Sequence, residues 1–198
     1  MADPDWPYSK AKTAVLLAAA SVIREQGPRS ATLKNIARKA GITEPAIFRH
    51  FDGVDGLFSG LFSVCEMFFA KAAKVYSASG PGLEGYLDST AEVLRILASG
   101  GDFAYLIFFS AQVFSGYEDF RIKTRQLKLQ DESFGIATLG QALERGELKA
   151  GLSVENLALA LMGIVHMTTV SWLESDSSFD LAEVCLQRLR GLFTLLSA

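Results

Sequence analysis

The stretch AGITEPAIFRHFDG, Ala40 to Gly53, gathers side chains suited to contacting a polyanion. Thr43 and Glu44 open it, Pro45, Ala46 and Phe48 follow, and Arg49 and His50 stand together near its end. Arginine brings five donors in a planar fork, histidine a ring donor and threonine a hydroxyl, a set that serves phosphate oxygens and base edges alike. Glu44 has two readings: its carboxylate stabilises the positive end of a helix, or it accepts from a cytosine amino group. Upstream, Lys10, Lys12, Thr32 and Lys34 add donors of the kind that fix a protein on a nucleic-acid backbone. From Ser9 through Phe51 the chain carries eight bases (Lys10, Lys12, Arg24, Arg29, Lys34, Arg38, Lys39, Arg49) against two acids (Glu25, Glu44). Eight minus two is +6, and with −3 for the whole chain the remainder carries −9. A basic head on an acidic body is the pattern of a phosphate-binding module joined to a part with another task.

Other chemistries find little to work with. His50 and His166 are the only histidines, and Cys65 and Cys185 stand far apart without metal-ligand spacing. No Gly-x-Ser-x-Gly nucleophile and no phosphate-cradling glycine loop occurs, so neither an enzyme activity, a metal site nor a cofactor is expected. The uncharged stretches Phe103–Tyr117 and Asn156–Leu173 raise the question of a membrane. The first is short for a span and the second carries Asn156, His166, Thr168 and Thr169, so helices buried in a bundle or interface explain both more simply. The start MADPDWPYSKAK lacks the pattern of a secretion signal and reads as a short arm of a cytoplasmic protein.

The elements that must position the donors read as helices. Lys10–Arg24 repeats apolar residues near helical spacing and stops at Gly27 before Pro28. Thr32 or Ser30 caps a second helix, whose Leu33, Ile36, Ala37 and Ala40 form an inward stripe ending at Gly41. Thr43 caps a third, with Glu44 and Pro45 in its first turn, running on through Phe51. Two short helices about a glycine turn, braced by a longer one, make a helix-turn-helix, with Ile36, Ile47 and Phe51 as the shared core beneath. The second short helix then leads with its N-terminal end into a major groove.

Taken together, TLKNIARKAGITEPAIFRHFDGVDGLF resembles the N-terminal signature of the tetracycline-repressor-like (TetR) transcriptional regulators. The motifs extend over Ser9 to Phe62, and the remainder resembles the family in length and helical character. The resemblance implies an all-α homodimer: a three-helix DNA-binding head and a larger C-terminal helical body that holds a ligand pocket and the dimer interface. It also marks two departures, because the family usually has tyrosine where Phe48 stands and lysine where Val54 stands, and both phosphate donors are missing here.

About nine helices are expected, with a division into an arm and DNA-binding domain over 1–53 and an effector-binding and dimerisation domain over 54–198. Beyond a long helix from Val54 to about Ser77, the expected segments are Leu83–Ala98, Asp102–Phe114, Glu118–Arg145, Val154–Glu174 and Leu181–Leu196. Phe62, Phe69, Tyr86, Phe103, Phe108, Phe109 and Phe134, with Met162 and His166, are either core packing or the lining of an apolar cavity for a hydrophobic or aromatic effector. Leu157, Leu161, Val165 and Trp172 on one late helix, and Leu189 and Phe193 on the other, are expected at the interface of a homodimer that meets a near-palindromic, double-stranded operator. Two functions follow: a ligand-responsive regulator, most simply a repressor, or a helical ligand-binding or protein-interaction dimer whose head has lost DNA affinity.

Overall fold

The computed structural model describes residues 8–197, apart from the side chains of Asp119, Lys123, Thr124, Leu127, Lys128 and Asp131. The beginning of the arm expected at the N-terminus lies outside the described residues, as do the side chains of Asp119 and Asp131. Ten α-helices and a 3-10 turn at Pro28–Ser30 make up the described fold: α1 (Lys10–Gln26), α2 (Leu33–Ala40), α3 (Glu44–Ile47), α4 (Gly53–Ser77), α5 (Gly82–Ser99), α6 (Asp102–Phe108), α7 (Ser110–Val113), α8 (Glu118–Glu144), α9 (Val154–Glu174) and α10 (Leu181–Leu196). The fold is all-α.

Caps set the boundaries. The hydroxyls of Ser9, Thr32 and Ser153 accept from the amides of Lys12, Asn35 and Asn156, and the Asp180 carboxylate accepts from Glu183, so α1, α2, α9 and α10 each open on a satisfied donor. Gly41 closes α2 at φ +68°, a left-handed conformation that a side chain would strain, and its amide bonds back to Arg38. Where one helix was expected over Asp102–Phe114, the chain breaks at Phe109, giving α6 and α7. The third helix is shorter than expected: regular winding stops at Ile47, and Arg49 and His50 donate to carbonyls three residues back.

Two compact units emerge, and they do not follow the chain in order. One contains residues through Phe69 together with Ser99–Arg125; the other contains Ala70–Ala98 and Gln126 onward. In the first, Leu16, Ile23, Ile36, Ile47, Leu57 and Leu61 are fully buried, and Arg24 on α1 bonds Asp102 on α6 at 2.8 Å. Gly60 on α4 permits close packing, because a Cβ there would lie 3.0 Å from the Phe51 ring and 3.1 Å from Leu16. In the second, Leu139, Leu161, Cys185 and Leu189 are fully buried, and the Glu147 carboxylate accepts the Leu83 amide at the start of α5, 2.8 Å away. Burial pushes the Cys185 thiol up to about 11. By length and composition α4 and α9 could each cross a membrane; in this fold each turns a face inward, Leu57, Leu61 and Cys65 on α4 and Leu157, Leu161 and Trp172 on α9.

Candidate nucleic-acid interface

The tip of the head is open. Ile47 is 0 % and Phe51 4 % exposed, and with Ile36 they form the floor on which α3 rests. Above that floor Thr43, Glu44, Pro45, Phe48 and Arg49 are exposed, while Ala46 and His50 are half-buried. Thr43 occupies the N-cap position with extended backbone, yet its hydroxyl makes no capping bond. The reason is local: Pro45 has no amide proton to offer, and the Ala46 amide is taken by the Thr43 carbonyl at 3.0 Å. The Thr43 hydroxyl is thereby left for an outside acceptor.

Around this tip Lys10, Thr32 and Lys34 are exposed and Lys12 is half-buried, its ammonium 4.6 Å above the Tyr8 ring and 4.9 Å above the Phe51 ring. The eight basic residues divide by task. Arg24 holds Asp102, and Lys39 holds Glu25 at 2.7 Å, a bond that with Ser21 keeps the Glu25 carboxyl below its ordinary range. Lys10, Arg29, Lys34 and Arg49 have no ion-pair partner among the described residues. Two bases therefore fasten the head, Lys12 lies against two rings, Arg38 is exposed and bonds Asn35, and the remaining four face solvent.

Residues 15–61 match the family described as bacterial regulatory proteins, tetR family. Over these residues, the N-terminal segment of the chain carries the tetR-family pattern. It is 28% identical over 178 residues to the HTH-type transcriptional regulator AcrR of Shigella flexneri, covering 84% of this chain and 80% of that protein. The structure of the ketosteroid transcriptional regulator KstR2 of Mycobacterium tuberculosis is similar at TM-score 0.78 and 18% identity, covering 98% of both chains. A FadR regulator of Bacillus subtilis, solved in complex with stearoyl-CoA, is similar at TM-score 0.62 and 19% identity, covering 88% of this chain and 95% of that one. The relatives that match this chain carry the names of transcriptional regulators rather than of enzymes.

Its body residues fall in both units. In the first, Phe62 and Phe103 are buried, while Phe69, Phe108 and Phe109 are half-buried. Phe62 stacks on Phe120 at 4.2 Å and meets Phe114 edge-on at 5.2 Å, within a cluster that Phe58 and Tyr117 complete. The Tyr117 hydroxyl donates to Asp55 at 3.0 Å; burial, and then the carboxylate that accepts this proton, push it up to about 12. The sequence alone did not single out Tyr117 or Phe120, since rings from α4 and from the start of α8 meet only once the chain is folded. In the second unit Tyr86 is buried and Phe134 half-buried, with Phe134 stacked on Tyr76 at 4.2 Å.

Two of the assignments on α9 and α10 need correction. Met162 and His166, expected to close a cavity, lie exposed on the outer face of α9. Leu157, Leu161, Trp172, Leu189 and Phe193, expected to meet a second copy, are buried in their own chain, and Val165 is half-buried. Asn156–Leu173 carries no charge and shows no polar side in its sequence, so spacing alone did not say which stripe turns inward. The apolar side chains that do face solvent are Leu159 (70 % exposed), Met162 and Met167 on α9, and Leu195 on α10.

Proposed function

We propose that this regulator is a repressor that binds a near-palindromic operator as a homodimer and is released by a hydrophobic or aromatic small molecule. The observation that carries the reading is the open tip: Thr43, Glu44, Phe48 and Arg49 exposed above the buried Ile36, Ile47 and Phe51, on a head whose Lys10, Arg29, Lys34 and Arg49 have no ion-pair partner among the described residues. Exposed donors on a rigid floor are what direct reading of a groove needs. Arg49 is assigned to base edges or phosphates, Thr43 and Lys34 to phosphates, and Glu44 to a cytosine amino group.

Dimerisation is assigned to α9 and α10 through Leu159, Met162, Met167 and Leu195, whose exposure in the single chain would be removed by a symmetric second copy. The division of labour proposed is a head over 1–53 and an effector and dimer domain over 54–198. α4, whose residues belong to both compact units, is the element proposed to transmit effector binding. The solved FadR complex with stearoyl-CoA supports an apolar effector, as do the aromatic residues of the body. The proposed location is the cytoplasm, in keeping with DNA as the partner.

Selection of bound duplexes from a random pool tests the reading: the expected result is a two-fold symmetric consensus, and an enriched pool without symmetry refutes the dimeric operator. Phe48 and Val54, which lack the usual phosphate donors, favour a second reading in which the dimer binds a ligand or protein and its head has weak DNA affinity. Failure to enrich any duplex supports that one.

A further inference from the structure

Among the described residues one buried side-chain polar atom has no hydrogen-bond partner, the hydroxyl oxygen of Ser110, and the residue is 1 % exposed. Its isolation is unusual in this chain. Ser63, Ser77, Ser133, Thr168, Thr169, Ser171, Thr194 and Ser197 each satisfy their hydroxyls on the carbonyl four residues earlier in the same helix. Ser110 is the first residue of α7, and the break at Phe109 (φ −98°, ψ 26°) separates it from α6, which contains the carbonyl of Leu106. The unbonded hydroxyl thus stands where one expected helix is interrupted.

A buried hydroxyl without a partner is costly, and it persists where something outside the polypeptide completes it. The neighbouring positions are apolar: Phe103, Ala104 and Leu106 on α6 and Val113 on α7 are buried, and Phe108 and Phe109 are half-buried, their rings 5.1 Å apart and edge-on. From Phe103 to Tyr117 no residue is charged. Asp102, just before, is engaged by Arg24; on the start of α8, Arg121 and Arg125 are exposed, and Arg121 pairs with Glu118. An anionic group brought to Ser110 would meet no cation of α6 or α7 and would bear the full penalty of leaving water. An uncharged donor or acceptor meets no such penalty.

We infer that Ser110 is the polar contact for an uncharged, largely apolar effector, an alcohol, phenol or ketone rather than a carboxylate. The inference rests on the reading of the body as effector-binding, and it adds the chemical class that the site takes. Such a ligand shares with the stearoyl-CoA of the solved FadR complex its apolar part, and not the anionic coenzyme A.

The test is calorimetric titration of the full chain with three compounds that share one apolar body: para-butylphenol, butylbenzene and para-butylbenzoate. The expected order places para-butylphenol tightest and para-butylbenzoate weakest. Ser110→Ala is expected to weaken para-butylphenol by about three- to tenfold, to leave butylbenzene unchanged, and to melt at the same or a higher temperature because an unsatisfied group has been removed. Unchanged para-butylphenol affinity in S110A, which a bound water alone at this hydroxyl would give, overturns the inference. So does equal loss for para-butylphenol and butylbenzene, a lowered melting temperature, tightest binding of para-butylbenzoate, or binding of none of the three. Duplex binding is measured separately on the same samples. A chain that binds duplex but fails these titrations loses only this inference; one that passes them without any response in duplex binding retains the ligand class and loses the regulatory reading.

Discussion

Arg49 and Phe48 are neighbours with opposite consequences for DNA. Arg49 is exposed without an ion-pair partner among the described residues, so replacing it with alanine removes the proposed groove contact without disturbing the floor. Arg49→Ala is expected to weaken operator binding by about 1–3 kcal/mol, read by fluorescence anisotropy; an unchanged isotherm would place Arg49 outside the interface. Phe48 is 58 % exposed and offers the groove an apolar ring where a hydroxyl usually stands. Phe48→Tyr is expected to tighten duplex binding about threefold to tenfold, and no gain would show that this position does not face phosphate. The exposed donors were legible in the sequence because a helix-turn-helix leaves few positions outward. Ser110 was not, since its unbonded hydroxyl stands at a backbone break that no proline or glycine announces.

A carboxylate at the same scale links the second unit to pH. Glu147 accepts the Leu83 amide and lies 2.7 Å from the Arg145 side chain, and these hold its carboxyl below the ordinary value, with partial burial opposing. A carboxyl depressed in the folded state stabilises the fold above its unfolded pKa, and that contribution disappears as pH falls through the lower, folded value. Glu147→Gln is therefore expected to cost no more than about 1 kcal/mol near neutrality, a deficit that closes in acid. A deficit that persists unchanged at low pH would assign the effect to packing.

At the scale of elements, clear punctuation marked the ends of α1, α2, α9 and α10, and their caps stand where serine, threonine or aspartate precedes an apolar repeat. Less was legible where one rule competed with another. The segment from Asp102 to Phe114 has helical composition throughout, and its break at Phe109 belongs to packing. On α9 both faces are apolar, so spacing identified the stripes without saying which turns inward. The corrected assignment separates two kinds of substitution. Leu161→Ala, at a fully buried position, is expected to cost about 2–5 kcal/mol in thermal or denaturant unfolding. Leu159→Glu or Met167→Glu, on the exposed face, is expected to leave helical content intact and shift the sedimentation of the protein to that of a monomer. A dimer that survives both charges would remove α9 from the interface.

At the scale of the whole molecule, charge and fold favour the same part of the chain for the proposed DNA contact. The segment from Ser9 to Phe51 carries +6 against −9 elsewhere, and the acidic remainder repels phosphate. The compact units, by contrast, were not legible: the division expected at residue 53 follows the chain, whereas packing groups Ser99–Arg125 with the head, through pairs such as Arg24 with Asp102 and Tyr117 with Asp55 that lie far apart in sequence. If effector binding near α6 and α7 changes the head, these are bonds whose loss should weaken the coupling. Arg24→Ala is expected to retain duplex binding while reducing its response to effector, and an undiminished response would exclude that bond from the coupling.

The most direct measurement is a salt titration of the full chain on a random duplex. Binding at low ionic strength, falling log-linearly as salt rises with a slope of about −5 for roughly six neutralised phosphates, is the predicted result. Absence of any salt-dependent association at low ionic strength would contradict the assignment of the basic head to DNA.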